Sequence, residues 1–426
     1  MKKLILTCAL FASLFTTAFA ESNFAHRFFE VKVDVPFSVS NNLIGLSDIF
    51  KEKVVIDLPK IADGMGKNGA TFNTSIAPSL SINLDIPKGL IFGINLGAEA
   101  SAGVGLSKDI FQFIGKGNVG MDSVTTKMNN TYADLFAVAS INGGWNGKKL
   151  RLNITGSAFW ALAHMDASNT YVKIYTNEEE NTMGVEANVD AKLYTTVNVN
   201  EGFSDIMGIF NQTKANLGFD ISAEGKYDLF RFLSVGANAR IPMVPSRLNQ
   251  VSAVSYNFSK EINLMDMISG KGSEEPAAET PAEGEGEGEE AATDSKFISD
   301  PKKLASPYVI HRPMKLGVSA DFHPFGNLLS TNGYIGVGIR HPFAKQKSET
   351  DFYWDYAVGG RLSLWNILSF ELSHSRYDEI FKNQFAVALN IRLVEVDVGV
   401  SSQSASFAKA FTGAGIGGFV TVCVGF

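Results

Sequence analysis

Along most of this chain, apolar and polar residues change places at every second position. Phe29, Val31, Val33, Val35 and Phe37 alternate with Glu30, Lys32 and Asp34. Ile82, Leu84 and Ile86 alternate with Ser81, Asn83 and Asp85, and the chain then turns into Leu90, Phe92, Ile94, Leu96, Ala98 and Ala100. The pattern returns at Leu150–Leu162, Val185–Leu193, Leu217–Ile221, Leu233–Ile241 and through six further runs between Met314 and Val400. A repeat of two is the period of a β-strand, whose side chains point alternately to opposite faces. The runs are 9 to 15 residues long. Soluble strands centre on about five or six residues, whereas a tilted membrane strand needs about 9–11. Charges inside the runs keep to one face. Length and facing together predict an all-β fold: an antiparallel transmembrane β-barrel, apolar outside and polar in its lumen. A soluble periplasmic β-protein, with water on the charged face, is the competing reading, and it leaves the strand length unexplained.

The alternation runs to the end. Val420, Val422 and Val424 lead to Phe426, so a strand finishes on an aromatic residue without a polar tail. This ending resembles the signal by which the barrel-assembly machinery recognises outer-membrane barrels, and the strand is expected to close the barrel against residues 29–37. Connection lengths also alternate. Tight ones are expected at Lys88-Gly89, Asn146-Gly147, 228–230, Trp365-Asn366 and near Arg392-Leu393, and long ones at 38–72, 103–131, 200–214, 244–306 and 403–414. Membrane barrels put short turns at one rim and long loops at the other. That parity gives 16 strands when 244–306 is one outer connection. A strand-like run at Val251 to Phe258 disturbs the count, so about 14–16 strands are expected. Segments 43–50, 107–114 and 203–210 lose the period of two and read as short helices, either caps on loops or plugs folded into the lumen.

The first 20 residues carry a basic start, an apolar stretch from Leu4 to Thr17 and an Ala18-Phe19-Ala20 cleavage pattern. A secretory signal peptide over residues 1–20 is expected, with the barrel in 21–426. Cys8 lies within that segment, which leaves Cys423 and no intrachain disulfide. Charge is unevenly placed. Without Lys2 and Lys3 the 37 basic residues become 35, against 44 acidic ones. Nine of those acids lie between Glu274 and Asp294 with no base among them, so the rest of the chain balances at 35 against 35. This Glu-, Gly- and Pro-rich stretch has no apolar anchor and predicts a disordered acidic loop at about 268–297. It is either a tolerated insertion or a surface for an extracellular partner.

Catalytic chemistry finds little footing. The six histidines show no metal-binding spacing. Ser373 and His374 are neighbours on one strand, so their side chains leave by opposite faces and cannot work as a pair. No aromatic-interleaved basic stripe suggests nucleic acid. No enzyme activity, cofactor or metal is expected. The expected partners are outer-membrane lipids. The polar face supplies the lumen-lining candidates Glu186, Asp190, Lys192, Asp220 and Glu224.

The signal segment, the N-terminal strand followed by Asn42-Leu43-Ile44-Gly45-Leu46-Ser47-Asp48-Ile49-Phe50, the run Arg312-Pro313-Met314-Lys315-Leu316-Gly317-Val318 and the terminal Phe426 resemble outer-membrane barrels of spirochaetes. Those are in turn similar to FadL-type transporters of hydrophobic substrates. The resemblance covers the mature chain in layout and implies an outer-membrane pore or channel for small or hydrophobic substrates. A non-conducting surface barrel of structural or adhesive role fits the same residues.

Overall fold

The computed structural model describes residues 27–43, 69–116, 123–127, 131–167, 170–177, 182–196, 216–263, 299–340, 342–343, 351–377 and 379–426. The expected signal peptide, the acidic stretch at 268–297, the helix expected at 203–210 and all but Leu43 of the helix expected at 43–50 lie outside these residues.

The chain enters the sheet as β1 (Phe29–Asn41). The next wall strand comes in two pieces, β2 (Ala70–Ile76) and β3 (Ser79–Ile86), and both pair with β4 (Leu90–Leu106). A helix, α1 (Lys108–Lys116), and β5 (Ser123–Lys127) precede the hairpin of β6 (Tyr132–Asn146) and β7 (Leu150–Asp166). After β8 (Tyr171–Asn177) and β9 (Thr182–Thr195) come the wall strands β10 (Gly218–Phe230) and β11 (Leu233–Val244). Then β12 (Ser246–Asn263) and β13 (Lys302–Ile310) leave the wall. It resumes with β14 (Met314–Phe322), β15 (Leu329–Arg340), β16 (Asp351–Leu364), β17 (Leu368–Tyr377), β18 (Ile380–Ile391), β19 (Val394–Ser404) and β20 (Ile416–Gly425).

Every wall strand is antiparallel to its neighbours. With β2 and β3 taken as one strand, the ladder runs β1, β2/β3, β4, β6, β7, β10, β11, β14 and then in order to β20. It closes where β20 pairs with β1 from Glu30↔Gly425 to Val39↔Ile416. The result is a closed 14-stranded barrel. At the seam Phe29 and Phe426 exchange backbone hydrogen bonds of 3.1 Å, and their rings lie 5.8 Å apart. The last strand therefore seals the sheet.

Short connections gather at the rim that carries this seam: 87–89, 147–149, 231–232, 323–328, 365–367 and 392–393. Lys88, Gly89, Trp365 and Asn366 take left-handed backbone there, as tight hairpin turns require. Gly89 has a second reason, since a Cβ would meet the Asn146 carbonyl oxygen at 2.2 Å. The long connections lie at the opposite rim, although β17 and β18 are joined there by only residues 378–379.

The outward positions are apolar and exposed, such as Ile94, Ile154, Val358, Leu372 and, at 68% exposure, Ile141. The inward positions are polar and buried, among them Asp34, Asp220, Asp355, Lys382 and Asp397. A soluble protein would show the reverse. An apolar belt around a polar interior is the surface a bilayer covers.

The run Val185–Leu193 departs from expectation. It forms β9 but belongs to the wall for only four residues, where Ala163–Asp166 of β7 face Thr195–Lys192. The wall position beside residues 150–159 of β7 is taken by β10. β9 instead rises beyond the rim in a crown of strands ordered β5, β8, β9, β12, β13. Its apolar face is covered by protein there. Val185 packs with Ile110, Phe113 and Ile174, while Val189, Ala191 and Leu193 pack with Val254 and Ala167. The strand-like run at 251–258 is β12, also in the crown. Parity counting therefore gave 16 strands where the wall has 14. Helix α1 forms where the sequence placed it, with Ser107 Oγ accepting from the Asp109 amide, and it packs on the crown.

Facing can be tested by paired substitutions at adjacent positions. Ile154→Lys, on the outward face of β7, is expected to cost about 2–4 kcal/mol of unfolding free energy in lipid vesicles. Asn153→Lys, pointing inward, is expected to cost much less. Urea titrations giving equal losses would contradict the assignment of faces.

Candidate functional site

The barrel interior has to satisfy its own polar groups. Several are paired across strands: Arg361 with Glu371 at 2.8 Å, Lys226 with Asp321 at 2.8 Å, and Asp34, whose carboxylate accepts from Thr421 Oγ1 at 2.6 Å. Near the long-connection rim the interior is filled from above. Leu248 of β12 and Ile310 of β13 are buried against inward-facing Phe136 and Val138 of β6 and Phe159 and Ala161 of β7. Ser246 anchors this inward turn, donating to the Asn216 carbonyl at 2.7 Å and accepting from the Ala161 amide at 2.9 Å. His164 sits beside it, with Nδ1 2.6 Å from Asp134 Oδ1 and Nε2 3.1 Å from the Tyr308 hydroxyl. The Tyr308 ring stacks on Tyr194 at 4.2 Å.

The connection then drives a charge into the lumen. Residues 311–313 form no strand, and Pro313 has no N–H to give a ladder. Arg312 is buried and reaches two carboxylates on opposite flanks. Its Nε donates to Glu99 Oε2 at 3.1 Å, Nη2 bonds the other Glu99 oxygen, and Nη1 donates to Asp220 Oδ2 at 2.6 Å. Its guanidinium also lies 5.9 Å from the centre of the Phe159 ring. Forked pairing of this kind is both strong and directional. Arg240 supports the same segment, its Nε donating to the Pro313 carbonyl at 2.9 Å.

A cavity of about 650 Å³ adjoins this latch, with Lys32, Asn83, Glu99, Arg240, Arg312 and Arg340 in its lining. It extends to Pro36, Ala77 and Pro78. At that height the wall ladder is interrupted. β1 pairs β2 from Phe37↔Ile76 upward and β3 from Asp34↔Ser79 downward, leaving Val35-Pro36 and Ala77-Pro78 unregistered between them. Each side of the gap carries one proline, Pro36 and Pro78, and neither can donate a ladder hydrogen bond. On the other side the Ala98 amide still holds the Pro78 carbonyl at 3.1 Å.

The residues proposed from alternation separate into two groups. Asp220 and Glu224 occupy the inward face of β10, Asp220 with no exposed surface. Glu186, Asp190 and Lys192 lie on β9 in the crown. There Glu186 accepts from the Tyr171 hydroxyl at 2.7 Å, a bond that pushes the phenol above its ordinary range. Val420 and Val424 face outward on β20, Val422 is half-buried, and Phe426 stands at the seam. Ser373 lines an interior cleft while the His374 ring nitrogens meet Tyr356 and Asn383 on the outside of the wall, at 2.8 and 2.7 Å. Sequence reasoning missed Arg312, Glu99 and Arg240. Glu99 did leave a signal, as the lone charge in a run of small and apolar residues.

No family model matches this chain, and no curated protein matches it. Solved barrels are similar in layout. The Pseudomonas putida toluene transporter TodX is 10% identical, covering 97% of this chain and 95% of its own, with a TM-score of 0.46. The Ralstonia pickettii toluene transporter TbuX is 9% identical over 94% and 90%, with a TM-score of 0.43. A Pseudomonas aeruginosa FadL homologue is 9% identical over the same shares, with a TM-score of 0.45. These are FadL-type barrels, and the resemblance to spirochaete proteins has no support among them. Likeness at this level carries no argument about what the chain transports.

Proposed function

We propose that this protein is an outer-membrane channel through which small molecules diffuse, with the chamber beside the Arg312 latch as its narrow passage. The observation that carries this reading is the continuity of that chamber with the interrupted wall at Pro36, Ala77 and Pro78. Cavities that hold one small molecule run from about 300 to 1,000 Å³, and this one is about 650 Å³. The apolar belt supports a membrane location, and the seam at Phe426 supports assembly from the C-terminal strand. With the short turns in the periplasm, the crown faces outward. The inserted Leu248 and Ile310 side chains and the Arg312 latch then close the outer mouth, and their release opens it.

The same insertion favours a second reading, a barrel filled for good whose crown and loops bind a partner. Conductance separates the two. The refolded protein in a planar bilayer is expected to show unitary steps. Arg312→Ala strips the partner from two buried carboxylates, a change worth about 3–5 kcal/mol when a buried pair is broken. If that loss falls on the closed mouth, the closed-to-open ratio drops by about a hundred-fold or more. A silent bilayer for both the parent protein and Arg312→Ala would favour the non-conducting barrel.

A further inference from the structure

Three cavities of the interior meet at one side chain. Tyr377, the last residue of β17, lines the chamber of about 650 Å³ and also two narrow clefts of about 50 and 60 Å³. Its ring reaches over the inner face of β16 towards Tyr334 of β15, with the ring centres 6.2 Å apart. Its hydroxyl is buried and has no hydrogen-bond partner among the described residues. Buried hydroxyls normally have one, so this group is ready for a polar solute that passes it. The second cleft shares Tyr377 and Tyr132 with the chamber and Tyr377 and Lys382 with the first cleft. Movement of the one ring therefore joins all three spaces.

The first cleft is a groove along β17. Ser369, Glu371, Ser373 and Ser375 line it, leading from the short-turn rim up to Tyr377. At about 3.4 Å per residue this run spans roughly 27 Å of strand. Side-chain size makes the groove. On the neighbouring strands Ala388 stands opposite Ser369, Ala386 opposite Glu371 and Ala357 opposite Ser375. Small groups facing small groups leave room that larger ones would fill. The charges lining it balance, with Arg361 and Lys382 against Glu371 and Asp397. Arg361 and Glu371 pair at 2.8 Å, and Asp397 Oδ1 is buried with no hydrogen-bond partner among the described residues. An apolar solute would strip these groups of water, whereas a hydroxyl-bearing one replaces it. A net charge of either sign gains nothing from a balanced wall. At about 50 Å³ the groove suits a few waters in file. The passage thus narrows abruptly at Tyr377.

We infer that Tyr377 is the specificity-determining residue of the passage. Its ring partitions the chamber from the groove along β17, and the solutes it admits are small, neutral and rich in hydroxyl groups. This rests on the channel reading and gives it a gate and a substrate class.

The test is the unitary conductance of the refolded protein with the ring at 377 made smaller or larger. Pore diameter sets the current, so Tyr377→Ala is expected to raise it by about two-fold or more and Tyr377→Trp to lower it. Vesicles holding the parent protein are expected to swell in erythritol, and faster with Tyr377→Ala. Equal conductance in all three proteins overturns the gate and leaves the channel standing. Current without erythritol entry overturns the substrate class. If the parent is silent the channel reading fails, and thiol labelling decides the partition by itself. Ser375→Cys, with Cys8 and Cys423 changed to serine, then reports on the groove. A water-soluble maleimide is expected to label it about ten-fold faster once Tyr377→Ala is added, since access limits the reaction. Equal rates overturn the partition.

Discussion

A polypeptide crossing a bilayer as strands must leave no backbone N–H or C=O unpaired against lipid, and only a closed ladder meets that condition. The pairing of β20 with β1 is therefore the contact on which the rest of this protein depends. Closure places Val33, Val35 and Val420 outside, in contact with hydrocarbon. The same strands turn Asp34 and Thr421 inward, where they bond each other at 2.6 Å. With apolar residues spent on the outer belt, the interior cannot be held together by ordinary hydrophobic packing. Cross-strand ion pairs and hydrogen bonds replace it.

That substitution explains the shape of the site. A 14-stranded wall encloses more space than its side chains fill, and the β11–β14 connection enters from the long-loop rim. Its Leu248 and Ile310 find the few apolar inward positions, on β6 and β7, and its Arg312 finds the two acids that need a cation. Each part depends on the other. A buried guanidinium without Glu99 and Asp220 would be costly, and those carboxylates would repel each other without it. The chamber is what remains beside this insertion, and at the same height Pro36 and Pro78 remove two donors from the wall ladder.

Much of the fold was legible in the chain because period-two alternation and tight turns are local signals. The hairpins at Lys88-Gly89, Trp365-Asn366 and Arg392-Leu393, the closing role of Phe426 and the inward facing of Asp220 and Glu224 could all be read that way. β9 shows the limit. Alternation reports that one face is apolar and is silent on whether lipid or protein covers it, so a crown strand looks like a wall strand. Arg312 shows a second limit. It lies in three residues with no periodicity, and its partners are 213 and 92 positions away in the chain. Only the register of the closed barrel brings them together.

The latch between the inserted connection and the wall holds the interior of this barrel in place. A double-mutant cycle joining Arg312→Met and Glu99→Gln, read by the unfolding free energy of the barrel in lipid vesicles, measures it alone. If the pair holds the connection in place, each single change is costly and the double change costs less than their sum, with a coupling of about 1–3 kcal/mol. Additive losses within a few tenths of a kcal/mol would show that Arg312 and Glu99 act independently, and would contradict the latch.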